Sequence, residues 1–211
     1  MTTTVPAKDL AQDQRDAAEA GRAEQALSPA RLRQVFSAFP TGVTAIAALV
    51  DGVPVGLAAN SFTAVSLDPP LLTVCMAHTS TTWPLLADLP RLGVSVLGAD
   101  QEHACAQLAS RSADRFADLD WHATDGGAVL LDGATAWFDT SVERLIRAGD
   151  HDIVLLRIRA MDADHDVAPL VFHGSRFRRL AGARSDTAER PAPAAPTAPT
   201  APPIAGTEES S

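Results

Sequence analysis

The sequence predicts a mainly β fold, a β-barrel with helical caps. Two observations lead to this prediction. Many short apolar runs are separated by turn signals such as Asp51-Gly52 and Asp132-Gly133, as in strands joined by tight hairpins. Only a few segments carry the spacing or capping residues of helices, so helices are expected to cap a closed or split barrel. No internal repeat is evident.

The composition is that of an ordinary soluble globular domain. The chain has 211 residues, of which 46% are apolar and 20% charged, and its net charge is -9. An acidic chain repels phosphate backbones, which excludes nucleic-acid binding by the protein as a whole. A small anionic cofactor remains compatible, because a local nest of backbone amides can overrule the global field.

Cysteine usage and the absence of a long apolar run favour the cytoplasm. Cys75 and Cys105 form neither a disulfide scaffold nor a CxxC pair, so we expect reduced thiols. The longest apolar run, residues 43–50, is interrupted by Thr44 and is far shorter than the roughly 20 residues of a membrane span. Acidic residues interrupt the N-terminal segment, which argues against a signal peptide.

Composition divides the chain into three parts. Residues 1–27 are polar and alanine-rich and are expected to form a mobile leader. Residues 28–182 contain the strand and helix patterns. Residues 183–211 consist largely of Pro, Ala and Thr, which cannot bury enough apolar area to fold, so a disordered, partly polyproline tail is expected. A docking ligand for a partner's aromatic groove is the alternative, and the solvated tail is favoured.

The ordered domain is predicted to open with a helix. Ser28 is its N-cap, Pro29 is its first residue and Pro40 ends it. Its apolar stripe consists of Leu32, Val35, Phe36 and Phe39.

Three strands are expected next, at residues 43–50, 53–65 and 71–77. Asp51-Gly52 is the first turn, and Asp68-Pro69-Pro70 forces an extended turn before the third strand. Gly56 marks a bulge or a close backbone approach. The third strand is almost continuously apolar, which predicts burial on both faces.

The second half of the domain alternates helices and strands. Ser80-Thr81-Thr82 is predicted to open a short helix that reaches Leu89. A further helix is expected at 101–109, and a short helix or turn at 114–119. The remaining strands are predicted at 92–97, 134–147, 153–162, 170–173 and 177–180.

Two candidate sites combine small residues with hydroxyls and an amide. Residues 40–44 place a turn at the mouth of a strand, where Thr41 and Thr44 can meet a ligand, although a plain helix-to-strand connection is favoured. In residues 58–63 the small side chains let a flat ligand approach the backbone. Asn60 and Ser61 lie within this apolar run, so their side chains are either satisfied in the core or face a ligand.

Two further candidate sites involve charge. In residues 78–82, hydroxyls and amides converge at a predicted helix N-terminus, which favours a phosphate; a plain N-cap is the alternative. In residues 149–152, His151 is either held at the barrel rim by Asp150 or Asp152, or belongs to a polar hairpin turn. No histidine pair has the helical spacing of a metal site. Rossmann, P-loop, nucleophile-elbow and HExxH signatures are absent from the sequence.

Taken in order, these segments resemble the flavin reductase-like family, the short reductases that supply reduced flavin to two-component monooxygenases. The resemblance extends from about Leu32 to Leu180. Its motifs are Pro-Thr-Gly-Val-Thr (40–44), Ala-Asn-Ser-Phe-Thr-Ala-Val-Ser-Leu-Asp-Pro-Pro-Leu (59–71), Ser-Thr-Thr-Trp-Pro (80–84), Arg-Phe (115–116), Gly-Asp-His-Asp-Ile (149–153) and Pro-Leu-Val-Phe-His-Gly (169–174).

The resemblance implies an FMN-binding split barrel of Greek-key type and a homodimer with the flavin near the subunit interface. It implies an NAD(P)H-dependent flavin reductase that passes reduced FMN or FAD to a partner monooxygenase. NADH is favoured over NADPH, because no clamp for a 2′-phosphate is evident. A non-catalytic flavin-binding electron carrier on the same fold is the alternative. A pyridoxamine-phosphate-type oxidase is disfavoured, since the chain shows no suitable Lys/Arg cluster.

The resemblance also implies the site residues. For the nicotinamide they are Gly149, Asp150, His151, Phe172 and Phe177. For the flavin they are Thr41, Gly42, Val43, Thr44, Ala58, Ala59, Asn60, Ser61, Ser66, Leu67, Cys75, Ala77, His78, Ser80, Thr81, Thr82 and Trp83, with Arg111 and Phe116 towards its distal end. No metal is expected. The sequence departs from the family pattern at Thr81, where a basic residue is common, and at Ala58, where a threonine is common, which predicts a weakly held, exchangeable flavin.

Overall fold

The computed structural model describes residues 25–112 and 114–180. Within them the helices are α1 (Pro29–Phe36), α2 (Trp83–Leu86) and α3 (Glu102–Leu108). The strands of the first half are β1 (Thr41–Gly42), β2 (Thr44–Val50), β3 (Val53–Ala59), β4 (Thr63–Leu67), β5 (Pro70–Ala77) and β6 (Leu92–Val96). Those of the second half are β7 (Trp121–Ala123), β8 (Val129–Leu131), β9 (Ala136–Ala148), β10 (His151–Ala163), β11 (Val171–His173) and β12 (Arg176–Arg178).

A seven-stranded sheet forms the body of this fold, in the order β3-β2-β6-β9-β10-β5-β4. All of its neighbouring strands are antiparallel. Smaller sheets of β1-β11-β12 and β7-β8 accompany it. The predicted mainly β fold with helical caps is therefore confirmed.

The sheet must curl, because consecutive strands β3 and β4 lie at its opposite edges. Only residues 60–62 connect Ala59, which ends β3, to Thr63, which begins β4. An extended chain advances at most about 3.6 Å per residue, so the two edges approach within about 14 Å of each other at this link. Asn60 and Ser61 consequently lie in the split between the edges of the barrel.

Strand β2 shows why the interior holds together. Its successive side chains alternate between two apolar clusters, with Ala45 and Ala47 in one and Ile46 and Ala48 in the other. The first cluster includes Leu108 of α3, and the second includes Trp83 and Leu86 of α2. Burial of one such leucine contributes about 1.5–3 kcal/mol, so α2 and α3 are anchored although both are short.

Two hairpin turns follow the sequence signals closely. Asp51 and Gly52 adopt φ values of 51° and 80°, the left-handed pair typical of the two-residue turn between twisted antiparallel strands. Gly149 has φ 65° in the turn that joins β9 to β10. Because Ala148 pairs with His151 across that turn, His151 is fixed at the very start of β10.

Several predicted elements differ in the structure. The strand predicted over 53–65 is interrupted, because the Ser61 hydroxyl accepts a hydrogen bond from the Cys75 amide at 2.8 Å and the chain crosses there to the opposite sheet edge. Asp68-Pro69 is a tight hairpin turn rather than an extended one. Strand β5 is buried on one face only, since Leu72, Val74 and Met76 face the core while the other face is half-buried.

The helix predictions also need correction. Ser28 caps α1 as expected, with its hydroxyl accepting from the Arg31 amide, but α1 ends at Phe36 and buries none of its residues. Helix α2 ends at Leu86 rather than Leu89. The β7-β8 hairpin was not predicted, because its strands are only three residues long.

The predicted leader and tail lie outside the described residues, except for residues 25–27. Among the described residues, no helix is long and apolar enough to cross a membrane.

Candidate functional site

A cleft of about 460 Å³ opens at the split of the barrel, and we call it the main cleft. Five parts of the chain meet there: the end of β3 with the link after it, the end of β5, the turn before α2, the end of α3 with the segment after it, and the start of β10. The lining residues are Leu57, Ala58, Ala59, Asn60, Ser61, Cys75, Met76, Ala77, Thr79, Ser80, Thr81, Thr82, Leu108, Ala109, Ser110, Arg111, Arg115 and His151. Its volume lies within the roughly 300–1,000 Å³ of typical ligand pockets.

One end of the main cleft is walled by small side chains and backbone. Ala58, Ala59 and Ala77 line it, which gives a flat ligand access to the strand ends. The Ser61 hydroxyl also bonds to the neighbouring strand. It accepts a hydrogen bond from the Cys75 amide at 2.8 Å and donates one to the Cys75 carbonyl at 3.3 Å. Asn60 is exposed, so its amide is free of the core and available to a ligand.

The three hydroxyl side chains of the turn before α2, at residues 80–82, make different contacts. Ser80 accepts the Trp83 amide at 3.0 Å and so caps the helix, while Thr82 is buried and accepts Nη1 of Arg115 at 2.7 Å. Thr81 remains exposed on the main cleft. The plain capping interpretation therefore holds for Ser80. Helix α2 has only four residues, so the phosphate site predicted at 78–82 rests on its hydroxyls and amides more than on a helix dipole, and it stays a prediction.

Positive charge at this turn comes instead from the segment after α3. Arg115 is half-buried and also donates to the Gly56 carbonyl at 3.3 Å, and Arg111 lines the same wall. The predicted loss of a basic residue at Thr81 is thus offset by the Arg115 guanidinium, which reaches the turn from elsewhere in the chain. Arg115 was not predicted as a site residue, although the Arg-Phe motif at 115–116 pointed to it.

Two histidine–aspartate pairs stand at the rim of the main cleft. Nδ1 of His151 lies 2.7 Å from Oδ1 of Asp150, and Nε2 of His78 lies 3.0 Å from Oδ1 of Asp152. The hydrogen bond to His151, and secondly its charge, lower the pKa of Asp150. The open choice of partner for His151 is therefore resolved in favour of Asp150, within a hairpin turn. No group of three potential metal ligands occurs among the described residues.

A second cleft of about 740 Å³ adjoins the first, and we call it the helix cleft because α1 forms one wall. It shares Asn60, Ser61 and His151 with the main cleft. Thr41 and Phe172 line it as well, and they are paired across β1 and β11. Phe177 lies just beyond, stacked edge-on against Phe172 with ring centroids 5.5 Å apart, in an apolar cleft of about 270 Å³ that also includes Val43.

Several predicted site residues do not reach these clefts within one chain. Leu67 is 98% exposed and pairs with Pro70 at the far end of β5, so Ser66 and Leu67 lie about seven residues, or roughly 23 Å, from Ala77 along the strand. The others serve the framework or the rim: Thr44 donates to the Ala59 carbonyl, Trp83 is in the core, Gly149 forms the hairpin turn, and Gly42 pairs with Val171.

Phe116 lines neither main nor helix cleft, but a smaller one of about 220 Å³ that we call the side cleft. The side cleft shares Thr81, Thr82 and Arg115 with the main cleft. Arg115 therefore stands at the junction between the two.

The arrangement fits a flat, phosphate-bearing ring system. The small-residue wall and the exposed Asn60 suit the ring, and the Arg111–Arg115 end suits a phosphate. One further observation supports the fit: Oγ1 of Thr41 is buried without a hydrogen-bond partner among the described residues, and a buried hydroxyl normally has one. Thr41 lines the helix cleft beside Asn60, where a ligand can complete its bonding.

Comparison with known proteins identifies the family. Residues 36–181 match the model of the "Flavin reductase like domain". The reductase subunit HsaB of a flavin-dependent monooxygenase from Rhodococcus jostii is 37% identical over 155 residues, which cover 74% of this chain and 80% of that protein. An NADH-dependent FAD reductase from Streptomyces globisporus is 39% identical over 156 residues, covering 72% of this chain and 85% of that protein.

A solved structure agrees with the fold. The NADH:FAD oxidoreductase SgcE6 of Streptomyces globisporus, in complex with NAD and FAD fragments, superposes with a TM-score of 0.72 at 38% identity. The superposition covers 75% of this chain and 96% of that one. The predicted split barrel is thereby confirmed.

Proposed function

This chain belongs to the flavin reductase-like family, and from that membership we propose that it reduces a flavin with NADH and releases the reduced flavin to a partner monooxygenase. The observation that carries the proposal is the convergence of Asn60, Ser61 and His151 on the wall shared by two adjoining clefts. Two flat rings placed in those clefts meet at these three residues. Relatives named as an NADH-dependent FAD reductase and a monooxygenase reductase subunit support the same activity.

The flavin is assigned to the main cleft. Ala58, Ala59 and Asn60 face its ring through small side chains and one amide, and Cys75 and Ala77 form the floor beneath the sugar chain. Arg115, held by Thr82, donates to the phosphate together with Arg111 and the exposed Thr81. These donors are charge-assisted and therefore stronger than neutral ones.

The nicotinamide is assigned to the helix cleft. Asp150 holds Nδ1 of His151, so Nε2 is left to face the ligand, where it orients the carboxamide or ribose rather than transferring a proton. Phe172 and Phe177 form an edge-to-face pair behind this position and exclude water from it. When both are bound, the dihydronicotinamide supplies a hydride from C4 and the flavin supplies the acceptor atom N5, so that NADH becomes NAD⁺ as the flavin is reduced.

Steady-state NADH oxidation with free FMN and free FAD tests this function. A reductase turns over many equivalents of added flavin. A flavin-binding electron carrier, the second candidate, would oxidise only a stoichiometric amount of NADH, and that result would refute reductase turnover.

A homodimer is part of the proposal. The apolar side chains of Val35 and Phe36 on α1 and of Phe39 after it are 52%, 69% and 74% exposed. Phe36 and Phe39 line the helix cleft, so a second copy packed against this apolar surface would cover it and narrow the nicotinamide site. Light scattering at micromolar concentration should give twice the monomer mass of 22.1 kDa.

The partner and compartment follow from the same chemistry. The main cleft opens at the surface, and its phosphate end is formed by side chains of Thr81, Arg111 and Arg115. This arrangement favours an exchangeable flavin that leaves after reduction and is taken up by a separate oxygenase. Both described cysteines, Cys75 and Cys105, are free, which suits the reducing cytoplasm.

A further inference from the structure

His78 lies at the rim of the barrel and lines none of the four clefts described above, although the sequence places it among the expected flavin contacts. It directly follows β5, in a turn that the Ser80 amide closes by donating to the Ala77 carbonyl at 2.9 Å. The hydroxyl residues at 79–82 come next. His78 therefore stands between the end of β5 and the turn before α2.

His78 is bonded to both sequence neighbours of His151. Its backbone N–H donates to the Asp150 carbonyl at 2.9 Å, and its ring Nε2 lies 3.0 Å from Oδ1 of Asp152. His151 thus lies between two residues that are both tied to one residue at the end of β5. Bonds on either side of His151 restrict how far its backbone can shift.

The His78–Asp152 pair lies on the opposite face of β10 from the His151 side chain. In the ladder between β5 and β10, His151 is paired with Ala77 and Asp152 with Met76. Successive side chains of a strand point to opposite faces, so His151 shares the face of Ala77, with which it lines the main cleft. The carboxylate of Asp152 points the other way. The pair therefore supports His151 from behind and does not compete with it for a ligand.

This supporting pair is better shielded from water than the pair at the ligand side. The side chains of His78 and Asp152 are 30% and 26% exposed, whereas those of His151 and Asp150 are 43% and 95% exposed. Solvent and salt weaken exposed ion pairs, so Asp150 alone holds the His151 ring weakly. The position of the 150–152 segment depends more on its two bonds to His78.

We infer that His78 is a positioning residue for the nicotinamide, because it holds the 150–152 segment so that Nε2 of His151 faces the helix cleft. This inference rests on the proposed function, which takes His151 as the contact of the nicotinamide. A functional side chain keeps a defined geometry only when hydrogen bonds behind it are in place. A displacement of about 1 Å in such a site can lower the rate by about a hundredfold.

Loss of the His78 ring should leave the flavin site largely intact. The turn before α2 keeps two other bonds, since the Trp83 amide donates to the Ser80 hydroxyl at 3.0 Å and Arg115 donates to the Thr82 hydroxyl at 2.7 Å. His78 contributes to neither of them. Removal of its ring should therefore affect NADH more than flavin, which distinguishes positioning of His151 from a general loss of structure.

Steady-state kinetics and equilibrium titration with NAD⁺ on the full chain test the inference. His78→Ala should raise the KM for NADH and the dissociation constant for NAD⁺ by at least about threefold, as is usual for residues in one hydrogen-bond network, with a smaller change in kcat and in flavin affinity. His78→Gln keeps a side-chain N–H donor for Asp152 and should restore most of the wild-type values. In a His151→Ala background, His78→Ala should have no further effect, because its effect passes through His151.

His122→Ala is the matched control, because His122 forms a comparable pair with Asp132 at 2.6 Å and lines none of the four clefts; it should leave both constants for the dinucleotide unchanged. An unchanged NAD⁺ dissociation constant in His78→Ala would overturn the inference. So would an undiminished effect of His78→Ala in the His151→Ala background, or an equal loss of flavin and NAD⁺ affinity, since the latter assigns His78 a general structural role. Failure of the wild type to turn over NADH with either flavin would instead refute the proposed function, and the NAD⁺ titrations would still decide the role of His78.

Discussion

Nη1 of Arg115 donates to Oγ1 of Thr82 over 2.7 Å and so fixes a cation against the turn that precedes α2. The two residues lie far apart in the chain, and the bond joins the loop after α3 to the turn between β5 and α2. It supplies at this turn the charge that the local sequence lacks.

Replacement of Arg115 should weaken flavin binding. A hydrogen bond to a charged group contributes about 1.5–3 kcal/mol, so Arg115→Ala should raise the dissociation constant for flavin about tenfold to a hundredfold. Fluorescence titration measures it. Thr82→Val is the control, because it removes the anchor but retains the cation, and it should have a smaller effect. If both variants bind flavin as the wild type does, the phosphate does not lie at Arg115.

His151→Ala should separate the two ligands. Because His151 is assigned to the nicotinamide, the variant should raise the KM for NADH by about tenfold or more, while the dissociation constant for flavin changes little. Steady-state kinetics at saturating flavin and a parallel flavin titration give both values. His173→Ala is a suitable control, since His173 is exposed at the end of β11 and lines none of the clefts. An unchanged KM for NADH would remove His151 from the nicotinamide site.

The His151–Asp150 pair should be sensitive to acid. The pKa of the Asp150 carboxyl is lowered in the folded protein. The stabilisation by Asp150 is therefore present above the ordinary pKa of a carboxyl and is lost as the pH falls through the lowered value. The difference in Tm between wild type and Asp150→Asn should therefore be greatest near neutrality and vanish in acid. Asp88→Asn, at another exposed position, should show no such trend. A difference that persists at the lowest pH would contradict this pairing.

The two cysteines should react at different rates. Burial, and secondly the nearby Glu102, raise the pKa of the Cys105 thiol, and only the thiolate reacts. Cys105 should therefore be labelled slowly by a maleimide at pH 7, whereas Cys75 is half-buried on the main cleft and should react faster. Bound flavin should slow Cys75 alone, as followed by mass spectrometry with Cys75→Ser and Cys105→Ser as references. Flavin protection of Cys105 instead of Cys75 would place the ligand elsewhere.

Gly93 on β6 should tolerate no side chain. A Cβ at this position would collide with the carbonyl group of Val129 on β8, and forced overpacking of this kind costs about 1–3 kcal/mol or more. Gly93→Ala should lower the free energy of unfolding by at least that amount in urea titration. Gly42→Ala, with no atom within 4 Å of the new Cβ, should not. Equal stability of the two variants would mean that β8 moves aside at little cost.

The sequence predicts the turns and the helix caps well, because each depends only on residues that are neighbours in the chain. The Asp51-Gly52 turn and the Ser28 cap both have the predicted geometry. Strand β5 shows the limit: its continuous apolar run predicts two buried faces, but only one is covered within the chain, because burial depends on which strands and subunits pack against it.

The candidate site shows the same division. The 58–61 and 80–82 segments and His151 do meet in one cleft, and their motifs are visible in the sequence. Arg115 was not predicted as a site residue, because its role depends on a contact with Thr82 that only the fold creates. The failure of Leu67 to reach the cleft has the same origin, since strand length and register decide how far a motif extends along β5.

The short link at residues 60–62 closes the barrel, and its first two residues, Asn60 and Ser61, line both the main cleft and the helix cleft. A flavin bound there contacts both edges of the curled sheet, so it links the two edges across the split of the barrel. Without flavin, the barrel can open at this split without breaking the hydrogen bonds between paired strands. Amide hydrogen exchange in β3 and at the end of β5 should therefore slow when flavin is added, and the resistance of the whole domain to heat should rise with flavin concentration.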